Sequence, residues 1–158
     1  MNAPVTLETT LSVRDTCLCL HTQRAARALA RLFDEVLRPV GLTNGQFSLL
    51  NALNGPEPAP MSQVAATLGA DRTTLTAALK PVVREGLAEI SIDPADHRAR
   101  RVALTAAGQA RLAAALPLWV AAHGALETEL ADPDRARLDL LTLSAPRPGT
   151  PAAPLCDA

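Results

Sequence analysis

The sequence predicts an α+β fold that is mostly α, and three observations carry the prediction. Alanine and leucine dominate a 158-residue chain in which aromatics make up 2%. That composition favours helices packed through aliphatic side chains over an aromatic-rich sheet. Apolar residues recur at helical spacing over most of the length. Between Leu87 and Leu104 the period shortens to two, as in a β-hairpin.

Composition also bounds function. A chain of this length holds one domain with extensions and can bury a core. The formal net charge of −1 argues against a protein that coats nucleic acid indiscriminately. It leaves open cations gathered on one face, because Glu127, Glu129, Asp132, Asp134 and Asp139 cancel them in the sum. No run of about 18 or more uncharged apolar residues occurs, so no membrane span is expected. The opening MNAPVTLETTL lacks the basic-then-apolar order of a secretory signal. Three cysteines without an export signal fit a reducing cytoplasm and no disulfide framework.

Residues 1–12 show no periodicity and read as a flexible arm. From Arg14 to about Arg38 the apolar positions Cys17, Leu20, Ala25, Leu29, Leu32, Phe33 and Val36 recur at helical spacing, and Pro39 and Gly41 end the helix. Residues 13–42 make up this N-terminal segment. Thr43, with Gln46 three residues on, is a capping-box pattern opening a helix through Phe47, Leu50 and Leu53, which Gly55-Pro56-Glu57-Pro58 stops. Ser62 reads as the cap of a short helix carrying Val64, Ala65 and Leu68, closed by Gly69. Asp71 caps the next helix, through Leu75, Leu79 and Val82 towards Gly86. Two short helices joined by Gly69-Ala70-Asp71 make a helix-turn-helix.

The alternating segments follow at once. Ile90 and Ile92 share one face, Val102 and Leu104 point inward, and the polar run Asp93 to Arg100 joins them as a charged hairpin loop, a wing. Residues 43–104 therefore form one winged helix-turn-helix unit. Thr105 caps a further helix with the stripe Leu112, Leu116, Trp119, His123, Leu126 and Leu130, which Pro117 is expected to kink or split. Asp132-Pro133 opens a last helix through Leu138 and Leu141, and residues 105–143 form this C-terminal segment. Residues 144–158, proline-rich and aperiodic, read as a disordered tail.

On a helical wheel Leu79, Val82 and Val83 fall beside Leu75, leaving Thr73, Thr76, Lys80 and Arg84 on the opposite side. That outer face suits a DNA major groove. Threonine hydroxyls bond base edges or phosphates, their methyls meet thymine methyls, and Lys80 and Arg84 pair with phosphate or guanine. Arg72 and Thr74 in the first turn, with Ser62 and Gln63 on the preceding helix, complete the candidate contacts there. Pro81 removes an amide hydrogen bond and is expected to bend this helix after Leu79. In the wing the candidates are Arg98 and Arg100, since a guanidinium at a hairpin tip can enter a narrow minor groove. Asp96 is expected to orient Arg98 through a charge-assisted hydrogen bond. The bland alternative is a solvated helix face and a hairpin carrying a weak surface ion pair. The immediate succession of helix, turn, helix and charged hairpin favours DNA.

These residues resemble the multiple-antibiotic-resistance regulator (MarR) family of winged helix-turn-helix proteins. The resemblance covers about Cys17 to Leu130. It is sharpest at Gly41-Leu42-Thr43 through Gln46-Phe47, at Asp71-Arg72-Thr73-Thr74-Leu75-Thr76, and at Gly86-Leu87. Its most specific run goes from Asp93-Pro94-Ala95-Asp96-His97-Arg98 to Leu104-Thr105-Ala106-Ala107-Gly108. The resemblance implies a dimer built from N- and C-terminal helices and a palindromic operator in double-stranded DNA. In most members it also implies repression, released by a small phenolic molecule or by cysteine oxidation. The wide apolar stripes of the first and last helices point to a homodimer independently, since they need a partner to cover them. Two-fold symmetry spaces two recognition helices one DNA turn apart. The expectation is a cytoplasmic, homodimeric repressor without enzymatic activity or cofactor.

Two switches stay open. A ligand, aromatic or phenolic, would sit where the dimer helices meet the reading head, with His21 and Arg24 as donors to a carboxylate or phenolate and Phe47 as a wall. Alternatively Cys17 and Cys19, near the start of the first long helix, are oxidised to a sulfenic acid or disulfide. The family's hydroperoxide-sensing branch has a reactive cysteine at the position of Cys19. That branch surrounds it with tyrosines, and this chain has none. Free cysteine is among the most buried residue types, so a packing role is the expected one. Zinc binding by Cys17, Cys19 and His21 lacks a clear fourth ligand. A thiol-dependent enzyme is the reading from another class, but no histidine–carboxylate constellation or glycine-rich phosphate loop supports it.

Overall fold

The structure, a computed structural model, describes residues 4–145; the expected tail falls almost wholly outside the described residues. The chain divides into two compact units, Met1–Ala122 and His123–Ala158. In chain order the elements are α1 (Leu7–Thr16), α2 (Leu18–Leu37), a 3-10 turn (Arg38–Val40), α3 (Asn44–Leu53), β1 (Ala59–Pro60), α4 (Met61–Leu68) and α5 (Arg72–Arg84). Then come β2 (Ala88–Ile92), β3 (Arg100–Leu104), α6 (Ala106–Glu127) and α7 (Pro133–Ser144). Mostly helical with a small antiparallel sheet, this is the predicted class.

Several expectations need correction. Where a flexible arm over residues 1–12 was expected, a helix begins at Leu7. The Thr6 hydroxyl caps it by accepting from the Thr9 N–H. No residue of α1 is buried, which is why its apolar residues leave no core-facing stripe in the sequence. The long helix expected from Arg14 breaks at Cys17, whose backbone is extended (φ −71°, ψ 104°). Cys17 both ends α1 and caps α2, its Sγ accepting from the Leu20 N–H at 3.4 Å. A ring nitrogen of His21 meets the Asp15 carbonyl across the break at 3.1 Å. The cap expected at Ser62 falls instead on Pro60, and α4 starts at Met61. The reason is tertiary. Ala59 and Pro60 form a third strand against Val102 and Arg101, and that pairing fixes where the chain turns into the helix. Neither internal proline divides its helix: α5 continues past Pro81, and α6 past Pro117.

The core of the first unit lies under the sheet and the short helices. Leu37, Leu50, Val82 and Val102 are wholly buried, and Phe47, Leu49, Leu53, Val64, Leu75, Leu79 and Leu87 nearly so. Burying each of these leucines stabilises the fold by roughly 2 kcal/mol. The sheet order is β1-β3-β2, antiparallel throughout, with Ile90 opposite Val102 and Ile92 opposite Arg100. The end of the hairpin is locked to the start of α6. Thr105 donates through Oγ1 to the Gly86 carbonyl at 2.6 Å and through its N–H to the Leu87 carbonyl at 3.1 Å. Its Oγ1 also accepts from the Gly108 N–H, as an N-cap does.

The second unit holds the end of α6 and all of α7. Asp132 caps α7 by accepting from the Arg135 N–H at 2.8 Å, and Pro133 occupies the first turn. Arg137 bridges Asp134 at 2.6 Å and also pairs with Glu127. Leu138, Leu140, Leu141 and Leu143 are exposed.

Candidate nucleic-acid interface

The turn between α4 and α5 is built from local signals. Gly69 adopts the left-handed conformation (φ 61°), and the Ala70 N–H returns to the Ala65 carbonyl at 2.9 Å, closing α4. Asp71 then caps α5, accepting from the Thr74 N–H at 2.7 Å and the Thr74 hydroxyl at 2.9 Å. Those two bonds hold its carboxyl below the usual carboxylate range. Leu75, Leu79 and Val82 bury one face of α5, and Thr73, Thr76, Lys80 and Arg84 stand exposed on the other. The side of α5 expected to be free of protein is free of it in the protomer.

Two adjoining concavities gather the cations. One, of about 370 Å³, brings Ser62 and Arg72 together with Asp96, Arg98 and Arg100 of the wing. The other, of about 570 Å³, brings Arg72, Thr76, Lys80 and Arg84 of α5 together with Arg100. Arg72 and Arg100 line both, so they mark where recognition helix and wing meet. Asp96 is the sole carboxylate lining either, among the described residues. Arg72 sits in the first turn of α5, where the helix dipole disfavours a cation. A local preference broken at an exposed cation beside the wing arginines suits a phosphate. Gln63, Thr73 and Thr74 are exposed but line neither concavity, and the hydroxyl of Thr74 is committed to Asp71.

In the wing Asp96 does not hold the Arg98 guanidinium as expected. It accepts from the Arg98 backbone N–H at 2.9 Å, and the Ala99 N–H returns to the Asp96 carbonyl. A carboxylate two residues ahead in a tight loop reaches the backbone more readily than the side-chain tip. The Arg98 head group is thereby left exposed, without an ion pair among the described residues. Arg100 donates through Nη1 to the carbonyls of His97 and Ala99, both at 3.0 Å, so it stiffens the loop while facing the groove.

The residues missed from sequence are Asp93 and Arg101. Asp93 is buried; its Oδ2 accepts from Arg101 Nε at 2.7 Å and its Oδ1 from the Ala95 N–H. Arg101 also reaches the Pro58 carbonyl ahead of β1 at 3.2 Å. The pair ties the base of the wing to the third strand. The Ala95 N–H first, and Arg101 next, hold the Asp93 carboxyl below the usual range. A lowered folded value means that the stabilisation is complete above the unfolded pKa of about 4 and is lost as pH falls through the folded value. Thermal melts of Asp93→Asn should therefore lie several degrees below the parent from pH 5 to 8 and converge with it in stronger acid. A gap that widens on acidification refutes this lock.

The ligand trio is not brought together. Phe47 is buried against Trp119, with ring centroids 6.0 Å apart and planes at 24°. His21 and Arg24 are exposed on α2, and the cleft that Phe47 lines includes neither. The cysteines depart from the packing expectation as well: Cys17 is half-buried and Cys19 exposed, both as free thiols. Among the described residues no three His, Cys, Asp or Glu side chains group to hold a metal ion. No helix among them is long and apolar enough to cross a membrane.

An exposed recognition helix beside a cationic wing defines a winged helix-turn-helix regulator. Solved structures share the fold. The M. tuberculosis transcriptional regulator MosR, solved in complex with DNA, is 41% identical over 81% of this chain and 93% of its own, with a TM-score of 0.76. The transcriptional repressor CouR, bound to a 23-mer DNA duplex, is 28% identical over 90% and 97%, with a TM-score of 0.69. PcaV of Streptomyces coelicolor, solved with its natural ligand, matches in fold at 22% identity, 90% and 95% coverage and a TM-score of 0.72. No family model and no curated protein sequence matches the chain. The chain belongs to the MarR family of transcriptional regulators.

Proposed function

We propose that the protein is a sequence-specific DNA-binding repressor. It acts as a homodimer on a pseudo-palindromic operator, with α5 in the major groove and the wing over the minor groove. One observation carries this: a nearly neutral chain puts Arg72, Lys80, Arg84, Arg98 and Arg100 around two adjoining concavities that share Arg72 and Arg100. MosR and CouR, each solved on DNA, support it, and CouR, a transcriptional repressor, supports the sign of regulation. The homodimer rests on uncovered apolar surface. Leu18, Leu29 and Leu32 of α2 and Leu138 and Leu141 of α7 are exposed in the protomer, apolar surface that a second copy would cover. Regulation of transcription, with no chemistry on a substrate, is the activity. Arg98→Ala should weaken binding to a duplex selected by footprinting by about 1–3 kcal/mol. Unchanged affinity in a salt-matched gel shift, with the fold intact, counts decisively against the wing contact.

Release by a small molecule is the favoured switch, and oxidation is the second reading. The observation for the latter is the position of Cys17 at the break between two helices, with its sulfur capping α2, and the exposure of Cys19 two residues on. Peroxide transfers one oxygen to a thiolate there and, with one proton taken up, gives a sulfenic acid and water. Attack by the second thiol expels another water and leaves a disulfide. Closing that bond removes the sulfur cap and alters the helix junction. Peroxide should release the parent from DNA and leave the double variant Cys17→Ser, Cys19→Ser bound; equal response of the two removes this pair as the sensor.

A further inference from the structure

We propose that Lys80 is a site of covalent acylation, and that the concavity it lines draws the acyl donor, an acyl phosphate, to its amine. Only the consequence for DNA rests on the regulator reading. Lys80 is the one lysine among 15 Lys and Arg side chains. Guanidiniums stay charged in proteins, whereas a lysine amine is the target of acetylation. Lys80 is exposed on α5 and makes no hydrogen bond or ion pair among the described residues.

The concavity, of about 570 Å³, supplies what such a donor needs. Arg72, Arg84 and Arg100 line it beside Lys80, and no carboxylate does. Guanidiniums hold phosphate through paired N–H donors, so the leaving group has its anchor. Val83 and Ile90 also line it, and Ile90 is 46% exposed, which gives the acyl hydrocarbon apolar surface to cover. In an acyl phosphate the anionic group is bonded directly to the acyl carbon. That closeness matches an amine and three guanidiniums on one small concavity. An acyl thioester of a nucleotide carrier holds its phosphates far from the carbonyl, and the match is lost.

The Lys80 ammonium gives one proton to solvent, and the neutral amine attacks the acyl carbonyl carbon. A C–N bond forms, the bond from that carbon to the phosphate oxygen breaks, and phosphate leaves with a second amine proton. The amide that remains carries no charge. Lys80 stands on the outer face of α5 with Thr73, Thr76 and Arg84, so acylation subtracts one cation from the surface assigned to DNA. A bound duplex covers the same amine, so DNA and the acyl donor compete for it.

Acetyl phosphate is the probe, with Nα-acetyl-lysinamide in the same tube as a free lysine amine. Peptide mapping of the full-length protein by mass spectrometry should show Lys80 acetylated about tenfold faster than the free amine. The rate should saturate with acetyl phosphate and fall when inorganic phosphate is added. Arg72→Gln and Arg84→Gln should each bring it several-fold closer to the rate of the free amine; having two variants guards against misfolding of one. A rate linear in acetyl phosphate and equal to that of the free amine, or one unchanged in both arginine variants, overturns the site. An equal rate with acetyl coenzyme A at the same concentration overturns the choice of acyl phosphate.

On a selected duplex the acetylated protein should bind several-fold more weakly, with the slope of log affinity against log salt reduced by about one. Acetyl phosphate should leave the affinity of Lys80→Arg where it stood before treatment, since a guanidinium there is not acylated. A parent that binds DNA equally well before and after acetylation of Lys80 overturns the coupling. A parent that binds no DNA overturns the regulator reading, while the acetylation rate still judges the site.

Discussion

Gly108→Ala should lower the melting temperature by about 6–12 °C, since it is the most crowded of the described glycines. A Cβ at position 108 would lie 1.9 Å from the Leu87 carbonyl oxygen and 2.9 Å from its carbon. That atom cannot retreat freely, because it already accepts from the Thr105 N–H, and Leu87 itself is buried. Relieving the overlap means separating α6 from the end of α5 and the start of β2, which breaks the Thr105 bonds to Gly86 and Leu87. Overpacking against backbone costs about 3 kcal/mol, at the upper end of the usual range. Gly124, later in the same helix, supplies the control. A Cβ there meets nothing within 4 Å, so Gly124→Ala should stabilise by about 0.5–1 kcal/mol through helix propensity alone. Differential scanning calorimetry of the two variants decides it. A Gly108→Ala melt within about 2 °C of the parent would show that α6 does not abut the Leu87 carbonyl.

What could be read from sequence and what could not divides by range. Thr43 with Gln46, Gly69, Asp71 and Asp132 were all legible, because a cap is decided within three or four residues of itself. The cap at Ser62 failed because Ala59 is held by Val102, 43 residues away, and a strand of two residues has no period to detect. Helix α1 went unread for the opposite reason, since a helix that buries nothing shows no stripe. Among charges, Asp96 was paired with Arg98 on spacing alone, whereas the true partner pair needs the hairpin register. Ser91 pairs with Arg101 and Ile92 with Arg100, Asp93 follows directly, and only that register brings its carboxylate to Arg101. The five cations that line the two concavities were all legible, because both α5 and the wing follow directly from local patterns. Their convergence on Arg72 and Arg100 was not, since it depends on how the hairpin folds back over α5.

That convergence makes Arg72→Ala with Arg100→Ala the variant expected to lose most DNA affinity. Each arginine borders both concavities, so each is within reach of the same stretch of backbone that α5 and the wing straddle. A lost arginine contact costs about 1–3 kcal/mol, and two that do not share a partner add. The double variant should therefore bind at least about 30-fold more weakly at fixed salt. If both contact phosphate, the slope of log affinity against log salt should fall by about two, one for each contact. Arg100 has a second task, because it holds the loop through the His97 and Ala99 carbonyls. Arg100→Lys keeps the charge and gives up the paired carbonyl bonds, so it separates the two roles. Retained salt slope with weakened affinity assigns Arg100 to shaping the wing; a reduced slope is impossible for that variant if charge alone matters. Wild-type affinity and slope in the double variant would mean that DNA lies on some other face, and the groove between α5 and the wing would need another ligand to account for five cations around one acid.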